Sequence, residues 1–131
     1  MTFDSDELPP QATVLVVDDY RDIVNILTLL LTSHGMNVLQ AYSGAECLEL
    51  VRTHPVDLVL LDVMMPDMDG LAVCAALKRI SPALPIILMT ADMTIREAAR
   101  HLDVSGYIVK PFKPADLLAR IRTHLHWYTE N

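Results

Sequence analysis

Basic side chains are scarce: ten Lys and Arg stand against seventeen Asp and Glu, a formal net charge of −7. A surface of that sign repels phosphate backbones and argues against direct nucleic-acid binding by this chain. Long apolar runs are missing too. Those present are fragments such as Val14 to Val17 and Leu29 to Leu31, far short of the roughly 20 residues that span a membrane as a helix. The chain opens with neither a basic cluster nor an apolar stretch, since Met1 to Pro10 carries Asp4, Asp6 and Glu7. A secretory signal is therefore not expected. Residues 1–11 read as a flexible leader, and the expected location is the cytoplasm, with no membrane partner. Cysteine is limited to Cys47 and Cys74, which form no CxxC and fall inside helical patterns. They are expected to be buried thiols rather than a disulfide or a metal pair. The five histidines are scattered, and His124 and His126 do not share a helix face, so they are not expected to be ligands.

What is present fits one domain, because 131 residues can bury a single core but not two of ordinary size. Apolar runs predict strands at Thr13 to Val17, Asn37 to Ala41, Leu58 to Leu61, Pro85 to Met89 and Tyr107 to Val109. Helical patterns lie between them. In the first, Ile23, Ile26, Leu27 and Leu30 have the spacing of one buried face, and Gly35 supplies a stop. Ser43 caps the second with Glu46 three residues on, and the pattern ends near Thr53-His54-Pro55. The third runs from about Gly70 to Arg79. Ile95, Ala98, Ala99 and Leu102 mark the fourth, and Leu117, Leu118, Ile121 and Leu125 the last.

The runs VLVV, LVLL and IILM are continuously apolar, as strands covered on both faces must be. An α/β fold follows, a doubly wound (βα)5 three-layer sandwich around a five-stranded parallel sheet. In such sheets the functional crevice lies at the carboxyl ends of the strands.

Those ends carry the polar residues. Asp18 and Asp19 follow the first predicted strand, Asp62 the third, Thr90 the fourth and Lys110 the fifth. An Asp after one strand is ordinarily a helix cap; three carboxylates, a hydroxyl and an ammonium converging from four segments are not explained that way. Two carboxylates about 4 Å apart repel by on the order of 4 kcal/mol at an effective dielectric near 20. Lys110 offsets part of this, and Mg²⁺, a hard cation that takes oxygen ligands, would offset the rest. The same set suits phosphoryl transfer to a carboxylate, with cations and a hydroxyl on the equatorial oxygens.

These residues closely resemble the response-regulator receiver family of two-component signalling. The signature is VVDD at Val16 to Asp19, LLDVMMPDMDG at Leu60 to Gly70, Met89-Thr90-Ala91, and GYIVKPF at Gly106 to Phe112. The resemblance spans about residues 12–126 and implies a flavodoxin-like sheet of order 2-1-3-4-5. It places a receiver domain at 12–127 and a tail at 128–131. It further implies that Asp62 accepts the phosphoryl group, and that Asp19, Asp62 and the main-chain carbonyl of Met64 ligate Mg²⁺. Asp18 would support the metal, mostly through water. Thr90 would donate to a phosphoryl oxygen, Lys110 would pair with Asp62 and then with the phosphoryl group, Ala91 would keep the entrance small, and Tyr107 would be the aromatic switch. The Lys110–Pro111 bond is expected to be cis. Tyr107 also reads simply as a half-buried strand aromatic. Met65, Pro66 and Gly70 read as loop architecture.

The implied partners are a sensor histidine kinase or phosphotransfer protein, and a downstream effector domain or protein. Readout would use the surface of the fourth helical pattern, fifth strand and last helix, through which a homodimer would also form. Such a domain is not an enzyme on other substrates; it catalyses only its own phosphorylation and dephosphorylation. Two departures stand out. The Thr90 to Lys110 segment is shorter than the family pattern. Met64 also stands two residues after the acceptor, where it cannot position a water strongly, which leaves Asp92 as the polar neighbour and favours a long phosphoryl lifetime. A haloacid-dehalogenase phosphatase would need DxD, and Val63-Met64 follows Asp62 instead. A non-phosphorylated interaction scaffold is the other alternative, although every acidic and Lys position is intact. The chain reads either as a stand-alone domain or as part of a longer regulator, with Trp127 and Tyr128 as a packing surface or a helix-end anchor.

Overall fold

The computed structural model describes residues 12–65, 69–91 and 104–125. Its element order is β1 (Thr13–Val17), α1 (Arg21–Thr32), β2 (Asn37–Ala41), α2 (Gly44–Thr53), β3 (Leu58–Asp62), α3 (Gly70–Ile80), β4 (Ile86–Thr90), β5 (Gly106–Val109) and α4 (Pro114–His124). The fourth helical pattern of the sequence lies outside the described residues, so α4 is the last of the five. Every strand pair is parallel and the order is β2-β1-β3-β4-β5.

The continuous apolar strands divide their side chains between two cores. Val14, Val16, Leu58, Leu60, Ile87 and Met89 face α1 and α4, while Leu15, Val17, Val59, Leu61, Ile86 and Leu88 face α2 and α3. All twelve are inaccessible to solvent, and each stabilises the fold by about 1.5–3 kcal/mol relative to exposure. Cys47 and Cys74 belong to the second core as free thiols, and burial pushes the Cys47 thiol up to about 12. Among the described residues no helix is long and apolar enough to cross a membrane.

Helix ends follow the local chemistry. Ser43 Oγ accepts from the Glu46 amide at 3.1 Å, and the Glu46 carboxylate accepts from the Tyr42 amide at 3.3 Å, a capping box displaced by one residue. Gly35 has φ of 87°, the left-handed conformation in which glycine ends a helix without steric cost.

Several sequence expectations are corrected. The strand expected to end at Leu61 runs through Asp62, and the strand expected at Pro85 to Met89 is displaced by one to Ile86–Thr90; β5 also starts one residue early, at Gly106. Asp62 and Thr90 are thus the last paired residues of their strands, in register with Met89 and Val109. The third helix, Gly70–Ile80, matches the pattern expected from about Gly70 to Arg79. The buried face of α1 is Val24, Leu27 and Leu31; Ile23 and Leu30 are half-buried at its margin, and Ile26 is 60% exposed. Both stripes satisfy helical spacing, and contact with the sheet selects the one rotated toward Val24.

Candidate functional site

The sheet order reverses direction between β1 and β3, and it is their carboxyl ends that open a crevice in a doubly wound sheet. Asp18 leaves β1 there and Asp62 closes β3. Asp18 is 1% exposed and Asp62 5%, so neither carboxylate can rely on bulk water. Asp18 Oδ1 accepts from the Tyr20 amide at 3.0 Å and its Oδ2 from Lys110 Nζ at 3.0 Å. Asp62 Oδ1 accepts from Lys110 Nζ and from the Met64 amide, both at 3.3 Å. Asp19 is exposed at the rim, and one oxygen from each of Asp18, Asp19 and Asp62 lies within 4.8 Å of the others.

Lys110 comes from β5 by way of β4. Its amide donates to the Thr90 carbonyl at 2.7 Å, which ties the ammonium-bearing and hydroxyl-bearing residues together through their main chains. The Lys110–Pro111 bond is cis. Thr90 is 2% exposed. The structure therefore brings Asp18, Asp19, Asp62 and Lys110 together, with Thr90 on the neighbouring strand. Tyr107 lies one strand further out, half-buried against the α2–α3 core, with the Arg120 guanidinium 5.8 Å from its ring centre.

Electrostatics follow from this crowding. Burial is the main cause that raises the Asp62 carboxyl above the ordinary carboxylate range; the Asp18 charge adds to it, and Lys110 opposes both. Burial alone would lower the Lys110 ammonium, but its hydrogen bond to Asp18 and the charges of Asp62 and Asp18 outweigh that and raise it. One ammonium among three carboxylates leaves two negative charges uncompensated, the charge of one divalent ion. The donor set is all oxygen, which fits Mg²⁺.

Sequence reasoning missed two features. Lys110 contacts Asp18 more closely than Asp62, a pairing across 92 residues that no local pattern announces. Beside Lys110, an apolar groove of about 470 Å³ runs between α1 and the Pro111–Pro114 loop, lined by Ile23, Ile26, Leu27, Leu30, Ala91 and Phe112 among others; the unburied stripe of α1 was its signal. Met64 is 65% exposed at the mouth of the acidic cluster. Asp92, Pro66, Trp127 and Tyr128, singled out in the sequence, lie outside the described residues.

Known proteins converge on the same reading. The family model for the response regulator receiver domain matches residues 14–122. A probable transcriptional regulator ycf27 of Cyanidium caldarium is 41% identical over 117 residues, covering 88% of this chain and 47% of that protein. The response regulator MprA of Mycobacterium sp. (strain KMS) is 41% identical over 114 residues, covering 86% and 50%. The chain thus spans about half the length of these curated relatives. Among solved structures, a CheY-like receiver domain protein from Methanospirillum hungatei superposes with a TM-score of 0.86 at 25% identity, covering 92% of this chain and 98% of that one. The chemotaxis protein CheY4 of Vibrio cholerae gives 0.83 at 29% identity, covering 88% and 99%.

Proposed function

This chain belongs to the response regulator receiver domain family, and from that premise we propose that it is a phosphorylation switch whose acceptor is Asp62. The observation that carries the proposal is the shared ammonium: Lys110 bridges the buried Asp18 and Asp62, beside a third carboxylate that completes an oxygen cluster. Asp18, Asp19, Asp62 and the Met64 carbonyl would hold Mg²⁺. When bound, the ion supplies positive charge that draws the donor's phosphoryl oxygens to the carboxylate.

An Asp62 oxygen attacks phosphorus in line, forming the P–O bond of an acyl phosphate as the bond to the leaving group breaks. The leaving group is the imidazole of a kinase or phosphotransfer-protein phosphohistidine, or acetate when acetyl phosphate is the donor. Lys110 passes from Asp62 to the phosphoryl oxygens. Hydrolysis returns the carboxylate and inorganic phosphate, and the exposed thioether of Met64, a weak acceptor, cannot position the attacking water strongly, which lengthens the phosphorylated lifetime.

A hydrogen bond from Thr90 to the phosphoryl group would contribute about 1.5–3 kcal/mol, less than the roughly 5.5 kcal/mol needed to invert a 1:99 equilibrium. Thr90, Lys110 and partner binding therefore act together. Because Lys110 is bonded to Thr90 through the main chain, movement of either is passed to β5, where Tyr107 rotates as the switch. The readout face is β5 with α4 and the preceding segment, offered to an effector domain, an effector protein or a second copy in the cytoplasm.

The test is to incubate the protein with Mg²⁺ and acetyl phosphate and record intact mass beside Asp62→Asn and EDTA controls. Gain of one phosphoryl group, lost in both controls, is expected. No gain under conditions that label another receiver would overturn the reading in favour of an unphosphorylated scaffold.

A further inference from the structure

The residues that follow Asp62 lie against the start of α3. The Gly70 amide donates to the Val63 carbonyl at 3.1 Å, Met64 and Asp69 form an antiparallel bridge, and Asp69 Oδ1 accepts from the Leu71 amide at 3.0 Å to start α3. The first turn of α3 is thereby set against the two residues that follow the acceptor. Space at Gly70 decides whether this closure can exist. A Cβ there would stand 2.5 Å from the Val63 Cα, 2.6 Å from its carbonyl oxygen and 2.9 Å from its carbonyl carbon, all main-chain atoms that cannot rotate aside. Gly70 does not have the left-handed φ of Gly35, so glycine is required for close approach rather than for dihedral freedom.

Val63 is the only residue between Asp62 and Met64. Its own amide donates to the Met89 carbonyl at 3.1 Å, which holds it to the end of β4, and the Met64 amide donates back to Asp62 Oδ1. Held to β4 through its amide, Val63 yields to a side chain at position 70 by moving its Cα and carbonyl, and the next peptide carries the Met64 carbonyl. We propose that Gly70 is a positioning residue of the acidic site: by admitting the start of α3 onto the Val63 backbone, it holds the Met64 main chain where it can serve a divalent cation beside Asp62. The inference rests on the metal-dependent reading above and assigns to Gly70, a residue that touches no carboxylate of the site, control over the affinity for Mg²⁺.

The experiment is a Mg²⁺ titration of the full chain by calorimetry, for wild type, Gly70→Ala and Val73→Ala. Val73 is fully buried in the first turns of the same helix, so its truncation destabilises α3 without pressing on Val63. Gly70→Ala is expected to weaken Mg²⁺ binding by about tenfold or more, the scale of lost outer support for a metal ligand, while Val73→Ala lowers Tm and binds as wild type does. Gly70→Ala binding as wild type does, or Val73→Ala weakening binding equally, would overturn the inference. Should Gly70→Ala fail to fold, amide spectra of the wild type decide: the chain has four glycines, and Mg²⁺ must shift the Gly70 resonance together with that of Met64 while Gly35 stays still. A silent Gly70 would overturn the inference. Wild type that binds no Mg²⁺ would instead overturn the parent reading.

Discussion

Asp62 is held at a cost that a single substitution can relieve. Its carboxyl is raised by burial first and by Asp18 second, so the folded chain binds this proton more tightly than the unfolded chain does. By linkage, folding gains as pH falls through the raised value toward the ordinary 3.8, and an ionised Asp62 opposes folding above it. Asp62→Asn removes the charge while Lys110 keeps its 3.0 Å bond to Asp18. In EDTA at pH 7 the variant is expected to be more stable by on the order of 1 kcal/mol, about 4 °C in Tm for a domain of this size. The advantage should narrow as pH falls toward 3.8, where the wild-type carboxyl is protonated too. Lys110 follows the same rule at higher pH: raised above 10.5, it contributes stability that is complete below that value and lost only as pH climbs through its folded pKa. Thermal melts of both proteins between pH 4 and 8 check the argument, and a wild type more stable than the variant at pH 7 would contradict it.

Among the elements, α1 shows where reading from sequence reaches and where it stops. The strands were legible because burial on both faces leaves runs such as LVLL with no polar residue to misplace, and the parallel sheet followed from them. Their ends were not, since Asp62 and Thr90 look like loop polarity until their backbones are seen paired with β4 and β5. The acidic cluster was legible for the same reason as the sheet: topology gathers strand ends, and the polar residues stood at those ends. Gly70 was legible as a glycine but not as a contact, because the Val63 backbone that demands it appears only in three dimensions. In α1 two apolar stripes compete, and only contact with the sheet chooses. Leu27 is 4% exposed and Ile26 60%. Leu27→Ala is therefore expected to cost about 2–5 kcal/mol, whereas Ile26→Ala stays within about 0.5 kcal/mol. Urea midpoints at constant m-value test this, and equal losses would mean that the helix is rotated from the position described.

For the molecule as a whole, a cation held at the acidic cluster would turn ion binding into folding stability. The chain carries a formal charge of −7, and three of its described carboxylates, Asp18, Asp19 and Asp62, converge at the carboxyl ends of β1 and β3. Strands that are distant in sequence supply these oxygens, so the unfolded chain cannot present them together and a dication would bind the folded state alone. Binding of that kind stabilises by about 2.7 kcal/mol at a hundred times Kd, which corresponds to roughly 10 °C in Tm at this size. The wild type is expected to show a Tm that climbs with Mg²⁺ and returns when EDTA is added. Sodium chloride at matched ionic strength should not reproduce the rise, because screening weakens repulsion between charges without bridging them. Asp18→Asn and Asp62→Asn each remove oxygen charge from the cluster and should flatten the Mg²⁺ dependence, even though Asp62→Asn begins from the higher Tm in EDTA. That crossing, a variant more stable without the ion and less stable with it, separates a site built for a cation from a cluster that merely repels itself. If sodium matches magnesium, or the two melting curves never cross, the carboxylates are only a source of strain and the metal-dependent reading of the site fails.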